Sequence, residues 1–286
     1  SEDGAAYLLQ VAAPSADSNI DGIRQYIQPV NYTNGFAAAA TGAPLAPAIP
    51  ASLAGPFGAP AGATDTDGFD YDQDVTGVAE KITYLTPNFN GFQAGVSYTP
   101  DVGDNNSGAI LTTGFNSDWA AGVLGEAYDV GARYEGVFNN VGFAVGAGYT
   151  HVDQESPAAV GDGSDDFTEW NIGLDLDIGA FGIGAIYKEA DNGAATATSG
   201  TDIETFVIGL DYTSGPFKFG ASYLGEDNET IAVNDELETD RYTGGVIYTA
   251  GPGLTFRGSI SHIEHEATLI QDLDATSVMG GVQINF

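Results

Sequence analysis

AYDVGARYEGVFNNVGFAVGAGYTHV, residues 127–152, decides how this chain folds. Tyr128, Val130, Ala132 and Tyr134 stand at every second position, with Asp129, Gly131, Arg133 and Glu135 between them. After Asn139–Asn140 the alternation resumes as Phe143, Val145, Ala147 and Tyr149. A period of two over such lengths belongs to a β-strand with two unlike faces, and a short break between two such runs is a hairpin turn.

The same alternation extends outward from this hairpin to give eleven candidate strands, near 78–86, 91–99, 127–138, 141–152, 166–178, 181–190, 203–213, 217–224, 238–249, 254–264 and 275–286. Each has about the 9–11 residues that a tilted membrane strand needs. Tight turns at Pro87–Asn90, Asn139–Asn140, Gly179–Ala180, Ser214–Pro216 and Ala250–Gly253 alternate with long acidic loops such as 100–126, 153–165 and 225–237. Short turns at one rim and long loops at the other are the asymmetry of an outer-membrane barrel. Residues 1–77 differ, being rich in Gly, Ala and Pro over 36–63 and acidic from Asp65 to Asp74, and they read as a long loop with one short helix near Ala5–Ala12. The expected organisation is therefore a loop, 1–77, and a strand region, 78–286.

Side-chain parity assigns the environment of each face. One face collects Phe92, Ala94, Val96 and Tyr98, then Trp170, Ile172, Leu174 and Leu176, then Phe206, Ile208, Leu210 and Tyr212. The other carries Gln93, Gly95, Ser97, Asn171, Gly173, Asp175, Gln283 and Asn285, a set too polar and too small to fill a core. Six of the seven bases, Lys81, Arg133, Lys188, Lys218, Arg241 and Arg257, fall on that polar face, leaving Arg24 in the N-terminal segment. An Arg or Lys facing lipid at mid-depth costs about 2–4 kcal/mol, so lipid outside and water inside is the consistent arrangement.

Composition narrows the function. With 40 Asp and Glu against 7 Lys and Arg, a net charge of −33 repels nucleic acid. The absence of Cys removes disulfides, thiolate metal sites and thiol catalysis. No run reaches 18 apolar residues, so any membrane span is made of strands.

The segment KITYLTPNFNGFQAGVSYTPD, 81–101, resembles the periplasmic hairpin after the third loop of the Gram-negative general porins, of the alphaproteobacterial type in particular. The ending VMGGVQINF is similar to the terminal strand of that family, with Phe286 as the aromatic read by the outer-membrane assembly machinery. SEDGAAYLLQVAAPS resembles the start of the family's inward-folded third loop. The resemblance implies an all-β, transmembrane antiparallel barrel of the 16-stranded porin type, of which this chain supplies about eleven strands and the third loop, with about five strands expected to precede it.

The resemblance also implies a constriction in which acids on the loop, Glu2, Asp3, Asp17 and Asp21, face bases on the wall, Lys81, Arg133, Lys188 and Arg241. Rings of charge of this kind set ion preference, and the acid excess points to cations. No catalytic residue and no obligatory cofactor is expected. Asp65, Asp67, Asp70, Asp72 and Asp74 depart from an EF-hand, since Ala63 would take the first ligand position and Asp74 the closing one, but they could hold Ca2+ or another divalent cation weakly and bridge to lipopolysaccharide. His262 and His265 have opposite parity and would not share a metal, His151 lies at the outer rim, and GASYL at 220–224 lacks the last Gly of a nucleophile elbow. The expected function is passive diffusion of small hydrophilic solutes and ions through a homotrimeric outer-membrane channel. A substrate-selective channel and a surface adhesin barrel are the alternatives.

Overall fold

The computed structural model describes residues 3–13, 71–73, 75–77, 79–102, 123–155, 166–191, 200–230, 235–267 and 273–285. A single turn of helix, α1 (Ala5–Leu8), precedes eleven strands. These are β1 (Ile82–Leu85), β2 (Phe92–Thr99), β3 (Val123–Phe138), β4 (Val141–Glu155), β5 (Phe167–Ile178), β6 (Phe181–Asp191), β7 (Gly200–Ser214), β8 (Phe217–Thr230), β9 (Asp235–Gly251), β10 (Leu254–Ala267) and β11 (Leu273–Ile284). They form one sheet in sequence order, each strand antiparallel to the next. Every expected strand is present.

Turn chemistry fixes the register at one rim. Asn139 and Asn140 both take positive φ, 50° and 63°, and so form the mirror-image turn whose twist matches a two-residue hairpin. Asn tolerates that conformation better than other residues with a side chain. The pairing Phe138↔Val141 follows, and with it the cross-strand pairs as far as Ala127↔Val152, beyond which a bulge between Leu124 and Ala127 shifts the register.

At the other rim the strands run past the expected limits. β8 ends at Thr230 rather than near 224, and β9 begins at Asp235 rather than near 238. Backbone hydrogen bonding continues beyond the apolar band because the ladder requires no apolar side chain, and the polar residues there carry no alternation to mark it.

The exposed face holds the apolar band. Aromatic rows bound it six residues apart on every strand from β2 to β9 except β5, where Trp170 is matched by Leu176: Phe92 and Tyr98, Tyr134 and Tyr128, Phe143 and Tyr149, Phe181 and Tyr187, Tyr212 and Phe206, Phe217 and Tyr223, Tyr248 and Tyr242. Register aligns them across strands, with Tyr98 and Tyr128 rings 5.3 Å apart in one row and Phe181 and Tyr212 rings 4.8 Å apart in the other. About 20 Å of strand separates the rows. Between them Val96, Val130, Ile172, Leu174, Ile208 and Leu210 remain exposed. An apolar band between two aromatic girdles is what lipid with a polar interface on each side demands.

The opposite face departs from expectation in one respect. Ile186, Val207 and Leu224 point inward at one height, successive strands pairing Ile186↔Val207 and Val207↔Leu224, and they pack with Ala13 and Tyr71. Nearer the outer rim Ala127, Val152, Phe167 and Ala190 form a second inward cluster with Val102. The face is therefore not uniformly polar. Apolar side chains occupy it where chain from outside the sheet covers them, so they do not meet water.

Candidate functional site

Two short stretches of the N-terminal region lie against the inward face: Gly4–Ala13, containing α1, and Tyr71–Gln73, followed by Val75–Gly77. Wall glycines make room for them. A Cβ at Gly131 would lie 2.6 Å from Ala5 O, and one at Gly148 would lie 2.5 Å from Gln73 Oε1 and 3.1 Å from Ala6 Cβ. The wall is flat where the segment sits.

Hydrogen bonds fasten the segment to that wall. The Ala5 amide donates to Ser97 Oγ at 2.8 Å, and Thr83 Oγ1 donates to Asp3 O at 3.3 Å. Thr76 Oγ1 and Thr150 Oγ1 both donate to the buried Asp129 carboxylate, at 3.1 and 2.7 Å. Gln73 Nε2 donates to Thr150 Oγ1 at 3.1 Å and to Glu169 O at 3.0 Å, while its Oε1 accepts from Asn171 Nδ2. The two stretches are also tied to each other. Gln10 Nε2 donates to Tyr71 O at 2.6 Å, the Gln73 amide donates to Gln10 Oε1 at 3.0 Å, and the Ala13 amide donates to Tyr71 Oη at 3.0 Å.

Three wall bases join this framework. Lys81 Nζ donates to Thr76 O, Arg133 Nη1 to Gln10 O at 3.0 Å, and Lys188 Nζ to Asp72 O at 3.0 Å. Each bonds a main-chain carbonyl of the inward segment. Arg133 also pairs with Glu135 at 2.6 Å, and Lys188 with Glu169 at 3.1 Å, both side chains of the latter pair being 5% exposed. Further toward the tight turns Lys218 pairs with Asp211 at 2.7 Å, and Arg257 Nη2 donates to Gln283 Oε1 at 2.6 Å.

A twisted sheet with a lipid-type exterior, charges on its other face and a segment fastened across that face has the parts of a channel wall. The family model for Gram-negative porins matches residues 16–268. The chain belongs to the Gram-negative porin family. No curated protein matches the sequence. Among solved structures, a porin refined at 1.8 Å is similar at 20% identity and TM-score 0.52, over 78% of this chain and 69% of that one. OprB of Pseudomonas putida is similar at 11% identity and TM-score 0.51, over 76% of this chain and 60% of that one. An anion-selective porin from Comamonas acidovorans shares 15% identity at TM-score 0.49, with 78% and 60% covered. This porin chain thus spans 60–69% of the length of these relatives, and its family places it in the outer membrane of a Gram-negative bacterium.

Of the residues expected at a porin constriction, the structure brings Lys81, Arg133 and Lys188 together around the inward segment. Arg241 is buried on the same face, at the height of Leu224 and Ile263. Asp3 contributes its carbonyl to Thr83. Glu2, Asp17, Asp21 and Phe286 lie outside the described residues, as do Asp65, Asp67, Asp70 and Asp74 of the acidic run. Asp72 of that run is buried, with its carbonyl bonded to Lys188.

Residue patterning alone misses Gln10 and Gln73, whose side-chain partners lie 61 to 98 positions away in sequence. It also misses a group on the outer face. His151 Nε2 lies 2.9 Å from Asp153 Oδ1 and 3.9 Å from Asp166 Oδ2, just beyond the Tyr149–Trp170 pair, as an imidazole–carboxylate cluster at the rim. Extending the β4–β5 register past Val152↔Phe167 sets the two Asp opposite each other, and that register was the available signal. His262 Nδ1 and Nε2 are within hydrogen-bond distance of Thr276 Oγ1 and Glu264 Oε1, at 2.8 and 3.2 Å.

Proposed function

We propose that this chain forms the wall and the narrow part of a water-filled outer-membrane channel through which small hydrophilic solutes and ions pass by diffusion. The observation that carries the reading is the fastening of Gly4–Ala13, Tyr71–Gln73 and Val75–Gly77 across the charged face of a sheet whose other face is an apolar band. A barrel closed around such a face excludes lipid, and a segment inside it sets the width of the passage. No bond-making chemistry enters this function.

The passage prefers cations weakly. Arg133, Lys188 and Lys218 are each neutralised by a carboxylate, while Asp175 and Asp177 stand two residues apart on β5 facing inward. The assembled state is a homotrimer, Phe286 is the aromatic end of its assembly signal, and the acidic outer rim meets lipopolysaccharide through divalent cations.

Planar-bilayer recording tests the channel itself. Stepwise, ohmic conductance with a gradual size limit for neutral solutes is expected, and block by one solute class at low concentration would favour a substrate-selective channel instead. Under a KCl gradient the reversal potential lies on the cation side, whereas an anion-directed potential would reverse the selectivity.

A further inference from the structure

The bonds that fasten the inward segment are not equivalent. Lys81, Arg133 and Lys188 are long side chains, and Arg133 and Lys188 each retain a carboxylate if the segment moves away. Gln73 is different. It is 1% exposed, both of its amide protons and its amide oxygen are engaged by β4 and β5, and its backbone N–H holds Gln10 of the other stretch. Asn171 and Thr150, which it meets, are themselves buried. A short planar amide used on every side is geometrically selective, because any displacement of the segment leaves several buried polar groups unpaired at once. The Glu169 carbonyl it caps belongs to the residue whose carboxylate holds Lys188, so the same amide also steadies that ion pair.

We propose that Gln73 is the positioning residue of the constriction: it locks the two limbs of the inward segment to each other and to strands β4 and β5, and so sets the width of the passage. The proposal rests on the channel reading for its consequence but not for its structural content. The Gly148 wall position supports it, since the backbone there comes close enough to Gln73 Oε1 to exclude a Cβ. The wall is shaped around this side chain.

Hydrogen–deuterium exchange on the chain folded in detergent, followed by conductance in a planar bilayer, provides the test. In Gln73→Ala the amides of residues 71–77 exchange about tenfold faster or more, and conductance becomes larger and noisier. Gln73→Glu separates positioning from mere packing. A protonated carboxyl can still donate one bond and an ionised one can donate none, so in this variant protection over 71–77, taken relative to the intrinsic exchange rate at each pH, falls and current noise rises from acid to neutral pH, while the wild type keeps its protection. Should Gln73→Ala not fold, the Gln73→Glu comparison at two pH values in one folded sample carries the same test. Wild-type exchange in Gln73→Ala, or a Gln73→Glu variant without pH dependence, would overturn the proposal. Exchange requires no ion current, so a folded chain that conducts nothing would count against the channel and leave the role of Gln73 to be judged on exchange alone.

Discussion

Lys188 and Glu169 face each other at 3.1 Å on neighbouring strands, and both are almost wholly covered. Removing one member of such a pair leaves a buried charge without its partner. Lys188→Met is therefore expected to cost about 3–5 kcal/mol. Lys188→Met with Glu169→Gln together costs clearly less, and chemical unfolding of the four species in detergent measures the difference as a cycle. Additive losses would show that the pair is not coupled. Gly148 offers a steric test of the same region. Gly148→Val drives a side chain into Gln73 and Ala6 and should release the inward segment, seen as faster amide exchange over 71–77, whereas Gly281→Ala, with nothing within 4 Å of the added carbon, should leave it unchanged. Parity told which way Lys188 and Arg133 point, because lipid forbids the other choice. It could not tell that they would bond Asp72 O and Gln10 O, since those contacts span 116 and 123 positions and exist only once the segment is seated.

At the level of single strands, β5 shows how far the sequence is legible. Trp170, Ile172, Leu174 and Leu176 alternate with Asn171, Gly173, Asp175 and Asp177, and the structure turns the first set outward. Leu174→Arg should weaken insertion and folding by about 2–4 kcal/mol, because its charge would meet lipid between the two girdles. Asp175→Asn, one position away on the other face, should fold like wild type and shift only the reversal potential. Folding into vesicles of both variants distinguishes them, and equal losses would contradict the assigned faces. The same alternation gave the wrong outer limit for β8 and β9, and it hid the inward Ile186, Val207 and Leu224. Apolar residues on the water side are legible only when the chain that covers them is known, and here Tyr71 and Ala13 come from more than a hundred residues away.

For the whole molecule, charge and topology act on different surfaces. Among the described residues, Glu126, Asp153, Glu189, Asp191, Asp202, Glu204, Asp227, Asp240 and Glu264 lie beyond the outer girdle and share the outward parity of the apolar band. The net charge of −33 therefore overstates the charge a permeating ion meets. The cation preference proposed above is accordingly a weak one, and raising ionic strength should lower it further. The channel reading requires that one face of this sheet meet lipid and the other water. The chain contains no Cys, so single cysteines can be placed at successive positions from Phe217 to Tyr223 in β8 and the folded protein in vesicles treated with a membrane-impermeant thiol reagent. Lys218→Cys, Gly220→Cys and Ser222→Cys should react, and Phe217→Cys, Phe219→Cys and Ala221→Cys should be protected. Uniform reactivity along the strand, or the opposite alternation, would contradict it.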